Sequence, residues 1–235
     1  MSESGLPRCF ALVPCAGVGA RFGAALPKQY VKLAGQAMVA HTLAALARVP
    51  RLASTLVVLS PDDGRFESAV PAFAGPLCRV ARCGGDTRAA SVANGLAVLA
   101  AGGAHSHDWV LVHDAARCLI RPQWVERLID ACRDDPVGGL LALPLADTLK
   151  QARAGRVAAT LPRDDKWAAQ TPQMFRLGLL QEALAKAGPA VNDEANAIEA
   201  LGHAPLLVPG EIENFKLTLA GDFELAQRLL SVWTR

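Results

Sequence analysis

Cys9-Phe10-Ala11-Leu12-Val13, followed by Pro14-Cys15-Ala16-Gly17-Val18-Gly19-Ala20-Arg21-Phe22-Gly23-Ala24-Ala25-Leu26-Pro27-Lys28-Gln29-Tyr30, is the stretch whose reading decides the fold. The first five residues are a continuous apolar run, the pattern of a strand buried on both faces. The loop after it combines glycines with two cations. Glycine lets backbone N–H groups approach phosphate oxygens closely, and Arg21 and Lys28 supply charge to meet the negative charge of a polyphosphate. No Asp or Glu stands between Glu3 and Asp62, whereas Arg8, Arg21, Lys28, Lys32, Arg48 and Arg51 all do, so an anion meets little repulsion here. Taken alone, the loop is equally readable as an ordinary glycine-rich turn with solvated cations.

Two phosphate loops are excluded. A Walker loop ends in Gly-Lys-Ser/Thr, but Lys28 lies between Pro27 and Gln29, which leaves no hydroxyl for a metal ion. The dinucleotide fingerprint needs a third glycine where Phe22 stands and a ribose-binding acid about twenty residues later, inside the acid-free stretch. Pro27 also interrupts the helix that such a loop would open.

Outward from the loop, strand-like and helical runs alternate: Thr55 to Leu59, Gly64 to Val70, Leu77 to Ala81, Ala89 to Ala101, Trp109 to His113 and Gln123 to Cys132, with a helix at Met38 to Ala47 before them. This alternation predicts an α/β fold, a mostly parallel sheet with helices on both faces, whose ligands gather at the carboxyl ends of the strands. The first loop, Gly84-Gly85-Asp86 and His113-Asp114-Ala115-Ala116-Arg117 then share one rim. After Gly138 the pattern changes: Leu140 to Leu149 and Val157 to Leu161 read as extended segments joined by residues 151–156. They form either a projecting hairpin that packs on another subunit or two ordinary sheet strands with a long turn. Leu177 to Ala187, Asp193 to Leu201 and Asp222 to Trp233 read as helices, and Pro205 to Val208 as a strand.

At 235 residues the chain is long enough for one substantial core, and one domain is the expectation. A formal net charge of +2 is too small to point to nucleic acid. No apolar run has the length of a membrane span and the first seven residues lack a signal-peptide pattern, so no membrane association and a cytoplasmic address are expected. The six cysteines include no Cys-x-x-Cys pair, and Cys15 and Cys118, though in candidate loops, read as spectator thiols. His105 and His107 lack a third ligand at metal-binding spacing.

Together with Gly84-Gly85-Asp86-Thr87-Arg88-Ala89-Ala90-Ser91-Val92 and Val110-Leu111-Val112-His113-Asp114-Ala115-Ala116-Arg117, the first loop forms an ordered set. Gln170-Thr171-Pro172-Gln173, Asp193-Glu194-Ala195 and Asn214-Phe215-Lys216-Leu217-Thr218 complete it. From about Cys9 to the last helix this set resembles the 2-C-methyl-D-erythritol 4-phosphate cytidylyltransferase family. The resemblance implies a three-layer, Rossmann-like fold of the nucleotide-diphospho-sugar transferase type. It also implies one domain over 1–235, and a homodimer that exchanges projecting hairpin arms at about 142–163. The implied reaction transfers the cytidylyl group of CTP to the phosphate of a methylerythritol phosphate and releases pyrophosphate in non-mevalonate isoprenoid synthesis, with Mg²⁺ or another divalent cation held mainly through the CTP phosphates and no protein metal ligands.

On that resemblance Arg21, Lys28 and Lys216 are the catalytic cations. CTP falls to Pro14, Cys15, Ala16, Gly17, Gly19, Gly84, Gly85, Asp86 and Ser91, with cytosine read by backbone near Cys15, Ala16 and Gly84. The acceptor falls to Asp114, Arg117 and Thr171, and to Thr148 and Arg163 reaching over from a neighbouring subunit. From spacing alone, Asp114 is equally a turn cap paired with Arg117. Cys15, Cys118 and Asn192 depart from the family pattern, the last two at a loop and near a polyol contact. A ribitol phosphate acceptor and a nucleotide-binding protein without turnover stay open as alternatives.

Overall fold

The computed structural model describes residues 5–17, 26–187 and 191–233. The apolar run becomes β1 (Cys9–Pro14), an interior strand of the sheet. A short β2 (Lys32–Leu33) and β3 (Gln36–Ala37) lead into α1 (Met38–Leu46), then β4 (Leu52–Val58), α2 (Phe66–Ala69), β5 (Cys78–Ala81), α3 (Arg88–Ala101), β6 (Trp109–Val112) and α4 (Pro122–Cys132). The second half carries β7 (Gly138–Pro144), β8 (Leu149–Arg153), β9 (Arg156–Leu161), β10 (Trp167–Arg176), α5 (Leu177–Ala187), α6 (Glu194–Ala200), β11 (Leu206–Pro209) and α7 (Ala220–Trp233).

Among the described residues, a seven-stranded sheet runs β11-β7-β10-β6-β1-β4-β5. Its pairs are parallel except that β10 runs antiparallel to both β6 and β7. Alternation along β1 builds two cores. Cys9, Ala11 and Val13 face the layer of α1 and α4, and Phe10 and Leu12 face the layer of α3, α5 and α6. On α3, Val92, Leu96 and Leu99 are fully buried, and such burial contributes roughly 1.5–3 kcal/mol per side chain. That packing holds the start of α3 at the rim.

Strand β10 is a long element that the sequence reading does not predict, as it also does not predict the two-residue β2 and β3. Pro172 argues against a central strand because it has no N–H for the ladder. The structure accommodates it where the β7 ladder breaks: the register shifts between Ala169 and Gln173, and the β6 ladder starts only at Gln173. The stretch 140–149 also divides. β7 ends at Pro144, and β8 and β9 form a separate two-stranded sheet, with Ala154 and Gly155 as the turn. Both turn residues have positive φ, 48° and 75°, the backbone of a tight two-residue hairpin that glycine favours. α2 is shorter than the expected Gly64 to Val70, covering Phe66–Ala69.

Candidate active site

The carboxyl ends of β1, β4, β5 and β6 open onto a cleft of about 750 Å³, lined in part by Pro14 to Gly17, Lys28, Gly84 to Arg88, Ser91, Asp114 and Lys216. Two backbone bonds hold its glycine-containing wall. Cys15 N donates to Val58 O at 2.7 Å and Gly84 N to Leu59 O at 2.8 Å, so both loops hang from the end of β4. Contact between them requires glycine: a Cβ on Gly84 would lie 2.2 Å from Ala16 Cβ. Gln29 steadies the first loop through Nε2 to Cys15 O at 3.1 Å, and Ser91 Oγ accepts from Gly85 N at 3.1 Å.

Opposite that wall stands a charged cluster. Asp114, just past β6, accepts from Arg88 Nε on Oδ1 at 2.8 Å and from Lys216 Nζ on Oδ2 at 2.7 Å. The fork of Arg88 grips Glu194 bidentately at 2.6 and 3.0 Å. Burial alone would raise the Asp114 carboxyl, but Arg88 and then Lys216 outweigh it and hold the group well below the usual carboxylate range. Asp114 is therefore an acceptor-only carboxylate at neutral pH. Lys28 Nζ donates to Leu217 O, bringing the first loop to the segment that carries Lys216.

Beneath Asp114 lies a buried relay. Asp114 N donates to Thr171 Oγ1 at 3.0 Å, and Thr171 Oγ1 stands 3.1 Å from His113 Nδ1. The other imidazole nitrogen faces the Arg117 carbonyl at 3.2 Å, which can only accept, so the proton sits on Nε2 and Thr171 donates to Nδ1. Burial pushes the His113 imidazole down to about 4, keeping it neutral. Asn214 Nδ2 donates to Gln170 Oε1 and Thr171 O at 3.1 and 2.9 Å, tying the Lys216 segment to β10.

The chain matches the family model described as 2-C-methyl-D-erythritol 4-phosphate cytidylyltransferase over residues 9–232. It belongs to that family. A Burkholderia multivorans 2-C-methyl-D-erythritol 4-phosphate cytidylyltransferase is 54% identical over 230 residues, 96% of this chain and 97% of that protein. A "Bifunctional enzyme IspD/IspF" of Albidiferax ferrireducens is 63% identical over 224 residues; the match spans 95% of this chain and 53% of that longer protein. The crystal structure of the Francisella tularensis cytidylyltransferase superposes with a TM-score of 0.81 at 32% identity, covering 94% of this chain and 99% of that one.

Within the cytidylyltransferase fold the expected residues separate into groups. Pro14, Cys15, Ala16, Gly17, Lys28, Gly84, Gly85, Asp86, Ser91, Asp114 and Lys216 line one cleft, whereas Gly19 and Arg21 lie outside the described residues. The Ser91 hydroxyl is buried and holds its own loop through Gly85 and the Thr87 carbonyl. Thr171 is buried, its hydroxyl committed to Asp114 N and His113, so it meets the site from below. Arg117 is not the ion partner of Asp114. Its guanidinium turns to the Asn214 and Ala169 carbonyls at 2.7 and 3.2 Å, and Arg88 and Lys216 take the carboxylate. Thr148 and Arg163 are exposed and line no part of this cleft. Cys15 and Cys118 stay protonated thiols, burial raising both and pushing Cys118 up to about 12.

Arg88 and Glu194 went unassigned in the sequence reading. A signal for Arg88 exists: it opens α3, where the helix dipole disfavours a cation unless carboxylates hold it. Glu194 carries no such signal, since an acid in a first helical turn is ordinary.

Proposed function

We propose that the cleft binds CTP between the two glycine-containing loops and 2-C-methyl-D-erythritol 4-phosphate beside Asp114 and Lys216. An acceptor phosphate oxygen attacks the α-phosphorus, a new P–O bond forms as the bond to the β-phosphate breaks, and pyrophosphate leaves. The observation that carries this reading is the convergence of Lys28, Lys216 and Arg88 on one cleft beside Gly84 and Gly85, in a chain of this family. Both reactants are anions, and two like unit charges 4 Å apart at the protein surface repel by about 4 kcal/mol. Asp114 and Glu194 offset the charges of Arg88 and Lys216 within their cluster, so the further positive charge that meets the two anions is assigned to Lys28 and Arg21. The acceptor phosphate is largely ionised near neutral pH, so positioning and electrostatics carry the rate without a general base. Lys216 spends one of its donors on Asp114, leaving others for phosphate oxygens.

Cleft carboxylates Asp62, Asp86 and Asp114 are few, and among the described residues no group of three His, Cys, Asp or Glu could hold a metal ion. This donor set suits Mg²⁺ carried on the triphosphate, where it would neutralise phosphate charge. The β8–β9 hairpin, with Val157 and Leu161 exposed on its own two-stranded sheet, supports a homodimer in which Thr148 and Arg163 of each arm reach the neighbouring acceptor site. No helix among the described residues is long and apolar enough to cross a membrane.

The test is pyrophosphate release with each nucleotide and acceptor in turn. CTP with 2-C-methyl-D-erythritol 4-phosphate and Mg²⁺ is expected to exceed UTP, ATP and ribitol phosphate; equal use of all nucleotides refutes the cytosine pocket. Mixing Arg163→Ala with Lys28→Ala subunits is expected to restore one intact site per heterodimer, and no recovery despite confirmed exchange refutes the arm assignment.

A further inference from the structure

We propose that Glu194 is a positioning residue for the acceptor half of the site, acting through Arg88 to hold the Asp114 carboxylate in place while Lys216 engages phosphate. Glu194 is 1% exposed and lines no part of the cleft, so it touches neither substrate. It takes the two terminal nitrogens of Arg88, leaving Nε to bond Asp114 Oδ1. The guanidinium is planar and rigid, so a bidentate grip on one edge sets the direction of Nε.

The anchor is itself anchored. Gln173 on β10, 1% exposed, donates from Nε2 to Asp193 Oδ2 at 3.0 Å and accepts from Ala195 N at 2.7 Å, bracketing Glu194 on both sides. Asp193 also caps α6 by accepting from Asn196 N at 2.9 Å. The start of α6, the start of α3 and the end of β6 are thereby joined through one guanidinium.

The consequence appears when an acceptor arrives. Lys216 has one donor on Asp114 Oδ2; as its ammonium turns to the acceptor phosphate, Oδ2 becomes available to an acceptor hydroxyl. Oδ1 stays on Arg88, so the carboxylate does not rotate. Without Glu194, the two terminal nitrogens of Arg88 lose their carboxylate and are drawn toward the incoming phosphate. The cytosine wall does not depend on this link, because Val58, Leu59, Gln29 and Ser91 hold it.

This inference rests on the transferase reading, and the wild-type reaction is run alongside. Glu194→Gln, with acceptor varied at saturating CTP, is expected to lower acceptor kcat/KM by about tenfold to a hundredfold, the scale of a misplaced reacting group. The CTP dissociation constant, measured by calorimetry, is expected to stay within about twofold, a split that a merely structural defect would not give. Because removing one member of a buried pair can unfold the chain, Arg88→Met is compared with Glu194→Gln/Arg88→Met, which leaves no unpaired charge. The two are expected to agree within about threefold, as for residues acting as one unit. Wild-type acceptor kinetics in Glu194→Gln, parallel loss of CTP binding, or a double variant far below Arg88→Met overturns the proposal while the transferase reading stands. A wild-type protein that makes no diphosphate overturns both.

Discussion

Gly84→Ala tests the geometry that joins the two loops of the proposed CTP wall. The added Cβ would lie 2.2 Å from Ala16 Cβ and 2.8 Å from Leu59 O. Carbon atoms pack best about 3.5–4.0 Å apart, so the loops must separate by more than about 1 Å. The backbone bond from Gly84 N to Leu59 O is the one that must give. Overpacking of this kind costs about 1–3 kcal/mol, which for a chain of this size lowers the melting temperature by roughly 2–12 °C. Because the displaced backbone lines the proposed nucleotide cleft, kcat/KM for CTP is expected to fall about a hundredfold. Gly17→Ala is the control: among the described residues a Cβ there meets nothing within 4 Å. It should change stability by no more than about 0.5 kcal/mol, yet weaken CTP binding because the open space is the ligand's. Adding Ala16→Gly to Gly84→Ala removes the shorter contact and leaves the one to Leu59 O, so partial recovery follows. Scanning calorimetry and CTP titration read all three variants. A Gly84→Ala protein that melts and binds CTP like wild type refutes the reasoning.

Lys28→Ala and Lys216→Ala are each expected to lower turnover by about a thousandfold, the scale of a cation at a phosphoryl-transfer transition state; circular dichroism should show the fold retained, and near wild-type rates would defeat the assignment. Thr171→Val leaves buried Asp114 N and His113 Nδ1 without a partner, a loss of about 1–3 kcal/mol per group in urea unfolding, whereas Thr171→Ser keeps the hydroxyl and should stay near wild type. For His113, the unfolded imidazole takes a proton as pH falls through about 6.5, while the buried one resists until about 4. Stability is therefore lost as pH falls across that window, by about 3 kcal/mol from this group, and urea midpoints of His113→Gln should lack that component; an unchanged slope refutes it.

Much of the fold is legible because buried parallel strands advertise themselves as apolar runs: β1 and β6 are continuous apolar segments, β1 ending at a glycine-rich loop and β6 lying between polar ones. Strand β10 is hidden for the opposite reason. Its middle, Gln170-Thr171-Pro172-Gln173, carries polar side chains and a proline, yet Gln170, Thr171 and Gln173 are buried because Asn214, Asp114, His113 and the α6 start satisfy their polar atoms. The glycine loops and Asp114 could be placed on one rim from strand order alone. The Arg88–Glu194 pair could not, since its partners stand 106 positions apart and neither has a local pattern that implies the other. Lys216 lies likewise far from Asp114 in sequence, and only the motif around it drew attention to it.

The most direct measurement of the central claim is the phosphorus NMR spectrum of a mixture of the enzyme, CTP, Mg²⁺ and 2-C-methyl-D-erythritol 4-phosphate. One pyrophosphate and one asymmetric diphosphate linking cytidine to the methylerythritol should appear per CTP consumed, with neither formed when the acceptor is omitted. CDP with inorganic phosphate, or CTP consumption that does not need the acceptor, would contradict nucleotidyl transfer at this cleft.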